Sequence, residues 1–139
     1  MLQKRIADAS LIIAYLDPDE RENHAWATEV FSRQGGLHTC EAVLAEVCAR
    51  LAYMRQPQSK VLRMVEDGGL RLDFNVGANA PRIVRLMEKY ADLPMDFADA
   101  CLVVMTEDHP RSLIYTLDAA DFSVYRRNGR EIVPFESPR

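Results

Sequence analysis

Strand-like segments recur along this chain with helical segments between them, and that alternation limits the fold more tightly than any other feature. KRIAD, Lys4 to Asp8, reads as a short first strand ending on an acid. SLIIAYLDPDE then predicts a short helix closed by Asp17-Pro18. ENHAWATEVFSRQGG carries Ala25, Ala27, Val30 and Phe31 on a helical repeat and stops at Gly35-Gly36. LHT is a brief second strand, and CEAVLAEVCARLAYMR is a helix with Thr39 as its N-cap. Pro57 to Asp67 is helical up to Gly68-Gly69, and GLRLDFNV alternates like a strand. ANAPRIVRLMEKYAD starts a helix with Pro81 in its first turn and turns Ile83, Val84, Leu86 and Met87 inward. SLIYTLD and EIVPF are the last strands. Strands separated by helices give an α/β fold with a central, mainly parallel sheet flanked by helices. No repeat or linker interrupts residues 1–139, a length that suits one domain with a real core.

Composition removes several function classes. A hydrophobic fraction of 48% and a charged fraction of 27% are those of an ordinary soluble globule. No apolar run approaches the roughly 20 residues a membrane span requires, and the N-terminal stretch carries an acid where a signal peptide would be apolar. Cys40, Cys48 and Cys101 form no CxxC pair and read as small core residues of a protein in a reducing cytoplasm. The net charge of −4 argues against nucleic-acid binding by bulk positive charge, though not against a site whose acids hold a metal. There is no GxSxG, GxxxxGK[ST] or GxGxxG, and no lysine follows a late strand as a phosphate-accepting signalling domain would require.

The acids remain. MDFADACLVVMTE is apolar or small from Ala98 to Met105 at every position except Asp99. A carboxylate there is either a first-turn acid on the helix dipole or points into a site that wants negative charge. Asp96 can serve the helix end as N-cap, which leaves Asp99 to be explained. On a helical wheel the Cys40–Met54 segment is apolar over most of its circumference, with Glu46, Tyr53 and Arg50 in a narrow polar wedge that opens onto a cleft, a partner or simply solvent. Asp8 and Asp118 each follow a strand, where α/β sheets build ligand sites; each is also explained by a turn or a helix cap. Carboxylates without histidine or thiolate ligands select hard cations, Mg²⁺ or Mn²⁺.

ADASLIIAYLD, TCEAVLAEVCARL, YADLPMDFADACLVVMTE and IYTLDAADFSVYR, in that order, resemble the PIN-domain ribonucleases, in particular the VapC-type toxins of bacterial toxin–antitoxin pairs. The resemblance runs over nearly the whole chain. It implies a Mg²⁺- or Mn²⁺-dependent endoribonuclease with Asp8, Asp99 and Asp118 as metal ligands. Glu46 would join the metal site, holding the metal-bound water, or serve as base, and Thr116 would orient a carboxylate or bind phosphate. Asp96 and Asp121 are extra acids beside the family positions. The resemblance further implies an RNA substrate, a cognate antitoxin and a homodimer, the last also expected from the apolar residues of Leu11–Leu16 and Trp26–Phe31. Arg50, Arg126, Arg127 and Arg130 are candidate phosphate contacts; the last three, in YRRNGR, equally suit a solvated hairpin. Two other readings are a non-catalytic or housekeeping PIN-like interaction module and a metal-dependent phosphatase. Asp8-Ala9-Ser10 lacks the nucleophile pattern of the phosphatase.

Overall fold

The first strand, β1 (Lys4–Ala7), lies at the middle of the main sheet. The computed structural model describes residues 2, 4–33, 35–93 and 95–139. The other strands are β2 (Leu37–Thr39), β3 (Leu70–Leu72), β4 (Ser112–Tyr115), β5 (Arg126–Arg127), β6 (Glu131–Ile132) and β7 (Phe135–Glu136). The helices are α1 (Ala9–Leu16), α2 (His24–Ser32), α3 (Glu41–Tyr53), α4 (Ser59–Glu66), α5 (Val76–Lys89), α6 (Phe97–Asp108) and α7 (Ala119–Val124). The main sheet has five strands in the order β3-β2-β1-β4-β7, every neighbouring pair parallel. Ile6, Ala7, Leu37, Ile114 and Tyr115 are buried in it, as expected for strands covered by helices on both faces.

The α/β class and the parallel sheet agree with the sequence pattern; several boundaries do not. EIVPF divides. Glu131–Ile132 folds back on Arg126–Arg127 as an antiparallel hairpin, turning through Asn128 and Gly129 with φ of 50° and 85°. Beyond Pro134, whose carbonyl accepts from Ile114 N at 3.0 Å, the chain joins β4 as β7. GLRLDFNV is a strand only over Leu70–Leu72, because Asn75 caps α5, its Oδ1 accepting from Ala78 N at 3.0 Å. Helix α5 therefore begins at Val76, and Pro81 lies inside it rather than in its first turn. Ile83 and Leu86 of α5 are buried, but Val84 is half exposed. Thr39 is not the cap of α3: its hydroxyl donates to Ala7 O at 2.8 Å, bracing β2 against β1, and Cys40 takes the N-cap position. Helix α2 ends at Ser32, ahead of the glycine pair; Gln34, inside the expected span, lies outside the described residues.

Helix α3 also differs from its wheel. Val43, Leu44, Val47 and Leu51 are buried, while Ala45, Ala49 and Ala52 are exposed, so the alanines extend the open face instead of the core. By contrast, α6 is buried from Ala98 to Thr106, packed among α3, α5, β4 and β5. The apolar residues that favoured a dimer are largely taken up within the chain. Leu11 and Ile12 are core, and the Tyr15 and Phe31 rings pack tilted against each other with centroids 4.5 Å apart. No helix among the described residues is long and apolar enough to cross a membrane.

Candidate active site

Ala7 and Tyr115 are register partners, so Asp8 and Thr116 leave the carboxyl edge of the sheet side by side, with Asp8 N donating to Tyr115 O at 3.2 Å. The chain lays β2 and β3 on one side of β1 and β4 and β7 on the other. This gap between β1 and β4 is the topological switch point at which open α/β sheets bind ligands.

Asp8 caps α1 and is 2% exposed. Its Oδ1 accepts from Ala9 N at 2.7 Å; its Oδ2 accepts from the hydroxyl of Thr116 at 2.6 Å and from that of Ser10 at 3.3 Å. Both hydroxyls also accept: Thr116 Oγ1 from Asp118 N at 2.9 Å, Ser10 Oγ from Leu117 N at 2.8 Å. The β1–α1 turn is thus laced to the β4–α7 turn through two hydroxyls 3.2 Å apart. Despite these donors, burial pushes the Asp8 carboxyl up to about 6; the Thr116 bond opposes the rise and the charge of Asp118 adds to it.

Asp99 enters from α6. Asp96 is the N-cap, its Oδ1 accepting from Asp99 N at 2.8 Å, so the helix end has its own acid. Asp99, 8% exposed, turns its Oδ2 to the buried hydroxyl of Tyr125, which donates at 2.9 Å. Burial raises its carboxyl to about 8, with Asp96, Asp8 and Glu46 adding repulsion against the Tyr125 bond. Glu46 stands on the open face of α3. Burial of its inner edge, the charges of Asp96, Asp8 and Asp118, and a hydrogen bond shared with Asp96 hold its carboxyl near 7. Asp118 is raised by partial burial, Asp121 and Asp96, and lowered by a hydrogen bond with Asp8.

The structure therefore brings Asp8, Glu46, Asp99, Asp118 and Thr116 to one place, with Asp96 and Asp121 at its edge. None of the ion pairs found among the described residues includes any of these acids. Burial first, and then mutual repulsion, raises these carboxyls, with no cationic side chain paired to them among the described residues. Among the described residues no three acidic, histidine or cysteine side chains stand close enough to enclose a bare ion. The donors that meet there are all oxygen, the ligand type that hard cations such as Mg²⁺ select.

Beside the acids lies a groove of about 360 Å³ between α3 and α6, lined by Ala42, Ala45, Glu46, Ala49, Asp96 and Phe97 among others. Phe97 is 42% exposed. Arg50, one turn along α3 from Glu46, sits over the Tyr53 ring with its guanidinium carbon 5.7 Å from the centroid, both side chains exposed. The YRRNGR arginines divide. Arg126 Nη1 donates to the carbonyls of Ser123, Val124 and Tyr125, closing the end of α7. Arg127 donates to the carbonyls of Thr106 and Pro110 and ties the hairpin to α6. Arg130 alone of the three is exposed. Ser10 and Tyr125 are the residues that sequence reasoning missed. Ser10 had a local signal, a hydroxyl two residues after a strand-end acid; Tyr125, 26 residues beyond its partner, had none.

A family model described as PIN domain matches residues 5–128. The chain is also 30% identical over 128 residues to Ribonuclease VapC26 of Mycobacterium tuberculosis (strain ATCC 25618 / H37Rv), covering 89% of this chain and 93% of that protein.

Proposed function

This chain belongs to the PIN-domain family, in its VapC type, and on that footing we propose that it is a Mg²⁺- or Mn²⁺-dependent endoribonuclease, the toxin of a VapBC-type toxin–antitoxin pair. One observation carries the reading: acids from the β1–α1 turn, α3, α6 and the β4–α7 turn converge at the switch point, and among the described residues no cationic side chain pairs with them. A purely structural cluster would be stabilised by a lysine or arginine or dispersed to solvent.

Asp8, Asp99 and Asp118 hold the cation, which supplies charge neutralisation at the phosphodiester and acidification of water. Thr116 and Ser10 fix the Asp8 carboxylate through hydroxyls that are themselves fixed by backbone amides. Glu46, on the open face of α3 beside the other acids, accepts the proton of the attacking water. Phe97 offers an exposed ring in the adjoining groove for an unpaired base, and Arg50 and Arg130 offer charge to the phosphates. Outside the catalytic cycle, a cognate antitoxin presents a lysine or arginine to the acids, and the VapC kinship supports a homodimer.

The test is cleavage of a mixed RNA pool by purified protein with EDTA, Mg²⁺ or Mn²⁺, beside an Asp8→Asn variant. Metal-dependent cuts that vanish in the variant support the reading. Equal, negligible activity in every arm, with no shift in melting temperature on adding metal, overturns it in favour of an interaction module.

A further inference from the structure

The hydroxyl of Tyr125 is buried against Asp99, 2.9 Å from Oδ2, and nothing in the proposed reaction uses it directly. Its ring is clamped by two others: Tyr90 from the end of α5 at 5.3 Å and Phe122 from α7 at 5.5 Å, both edge-on. Tyr90 in turn accepts from Arg126 N at 2.8 Å, and the Arg126 guanidinium closes the end of α7 on three carbonyls. The phenol is thereby delivered to a single point by a packed aromatic cluster and a pinned backbone. A terminal carboxyl torsion is broad when left alone; here one oxygen is engaged and the other is left for the site.

We propose that Tyr125 is a positioning residue for the metal centre: its hydroxyl fixes the rotation of the Asp99 carboxylate so that one oxygen faces the cation. The inference rests on the assignment of Asp99 as a metal ligand. Partners of this kind, which orient a ligand without touching the ion, change metal affinity by about 10- to 100-fold when removed. Tyr125→Phe is the clean perturbation, because it keeps the ring packing on Tyr90 and Phe122 and removes only the donor.

Mn²⁺ affinity of the full chain, read as free Mn²⁺ by electron paramagnetic resonance, tests it with no dependence on RNA. Tyr125→Phe is expected to weaken Mn²⁺ binding about 10-fold or more, and RNA cleavage at subsaturating Mn²⁺ should be rescued by raising the metal concentration. Thr106→Val is the control. It removes a buried hydroxyl from α6, the helix that carries Asp99, but one bonded to Val103 O at 2.7 Å and not to any site acid, so it should leave Mn²⁺ affinity within about twofold of the parent. Equal weakening in both variants would reduce Tyr125 to a packing residue, and unchanged affinity in Tyr125→Phe would remove the role altogether. A parent that binds no Mn²⁺ would instead overturn the metal-ligand assignment beneath it.

Discussion

Asp99→Asn separates a helix-turn acid from a metal ligand by the sign of its effect. If Asp99 served the helix dipole, losing the charge would cost about 0.3–1 kcal/mol. Asp96 already caps α6, however, and the Asp99 carboxyl is pushed up to about 8 by burial and by Asp96, Asp8 and Glu46. An acid whose folded pKa exceeds its unfolded value holds a proton in the folded state that the unfolded chain has released. Folding then takes up protons between about pH 4 and 8, and stability is greatest below that window and falls as pH rises through it. At about 1.4 kcal/mol per pKa unit, Asp99 alone sets an upper limit of about 4 kcal/mol lost by pH 7 in the metal-free protein. Proton sharing with Asp8 and Glu46 and the lost charge-assisted bond from Tyr125 reduce what the amide recovers to about 1–3 kcal/mol. For a chain of this size that is a rise in melting temperature of roughly 3–10 °C.

Thermal melts in EDTA across about pH 5 to 8 should therefore show the parent losing stability and the variant staying flatter and higher. Millimolar Mn²⁺ should reverse the order, because stabilisation by a ligand follows its affinity for the folded state. RNA cleavage should fall by about two orders of magnitude or more with the lost ligand. A variant that melts below the parent in EDTA, gains the same increment from Mn²⁺ and still cuts RNA would refute the assignment of Asp99.

Ser10→Ala removes a hydrogen bond to Asp8 and strands the amide of Leu117, so denaturant melts should show a loss of about 1–3 kcal/mol. Glu46→Gln should lower the RNA cleavage rate by about two orders of magnitude and abolish the base limb of the pH–rate profile, while Mn²⁺ binding falls far less. Phe97→Ala should raise KM for RNA by about tenfold, the scale of one base–aromatic stack, without moving the metal-dependent melting shift. Arg127→Ala should destabilise the hairpin in a melt while phosphate-dependent RNA affinity, measured by its salt slope, stays with Arg50 and Arg130.

The sheet was legible because its strands are short, buried and bounded by helices with clear periodicity. The meeting of the acids was legible in part because Asp8 and Asp118 follow strand ends, where topology alone brings them together. What escaped were contacts that no local pattern encodes. EIVPF reads as one strand, but Pro134 lacks an N–H and the Asn128-Gly129 turn lets the first half fold back, so one apolar run serves two sheets. Thr39 has the chemistry of a cap, yet the tertiary acceptor Ala7 O claims its hydroxyl. The alanines of α3 look like core on a wheel because small residues are ambiguous; which neighbour approaches them is decided by α6, far away in sequence. Arg126 and Arg127 look like free charge until the carbonyls around them are known.

One asymmetry in the site follows from these assignments. Asp8 is held by donors from its own and the neighbouring turn, all within the rigid edge of the sheet, while Asp99 depends on a phenol carried by the α7–hairpin segment. The first carboxylate is fixed by contacts at the sheet edge; the second is fixed by a contact that α7, the hairpin and the end of α5 bring together. Deforming that outer layer, by an RNA strand on Arg130 or by a partner protein, would disturb Asp99 before Asp8. Metal affinity would change while the sheet and its melting behaviour remained largely as they were.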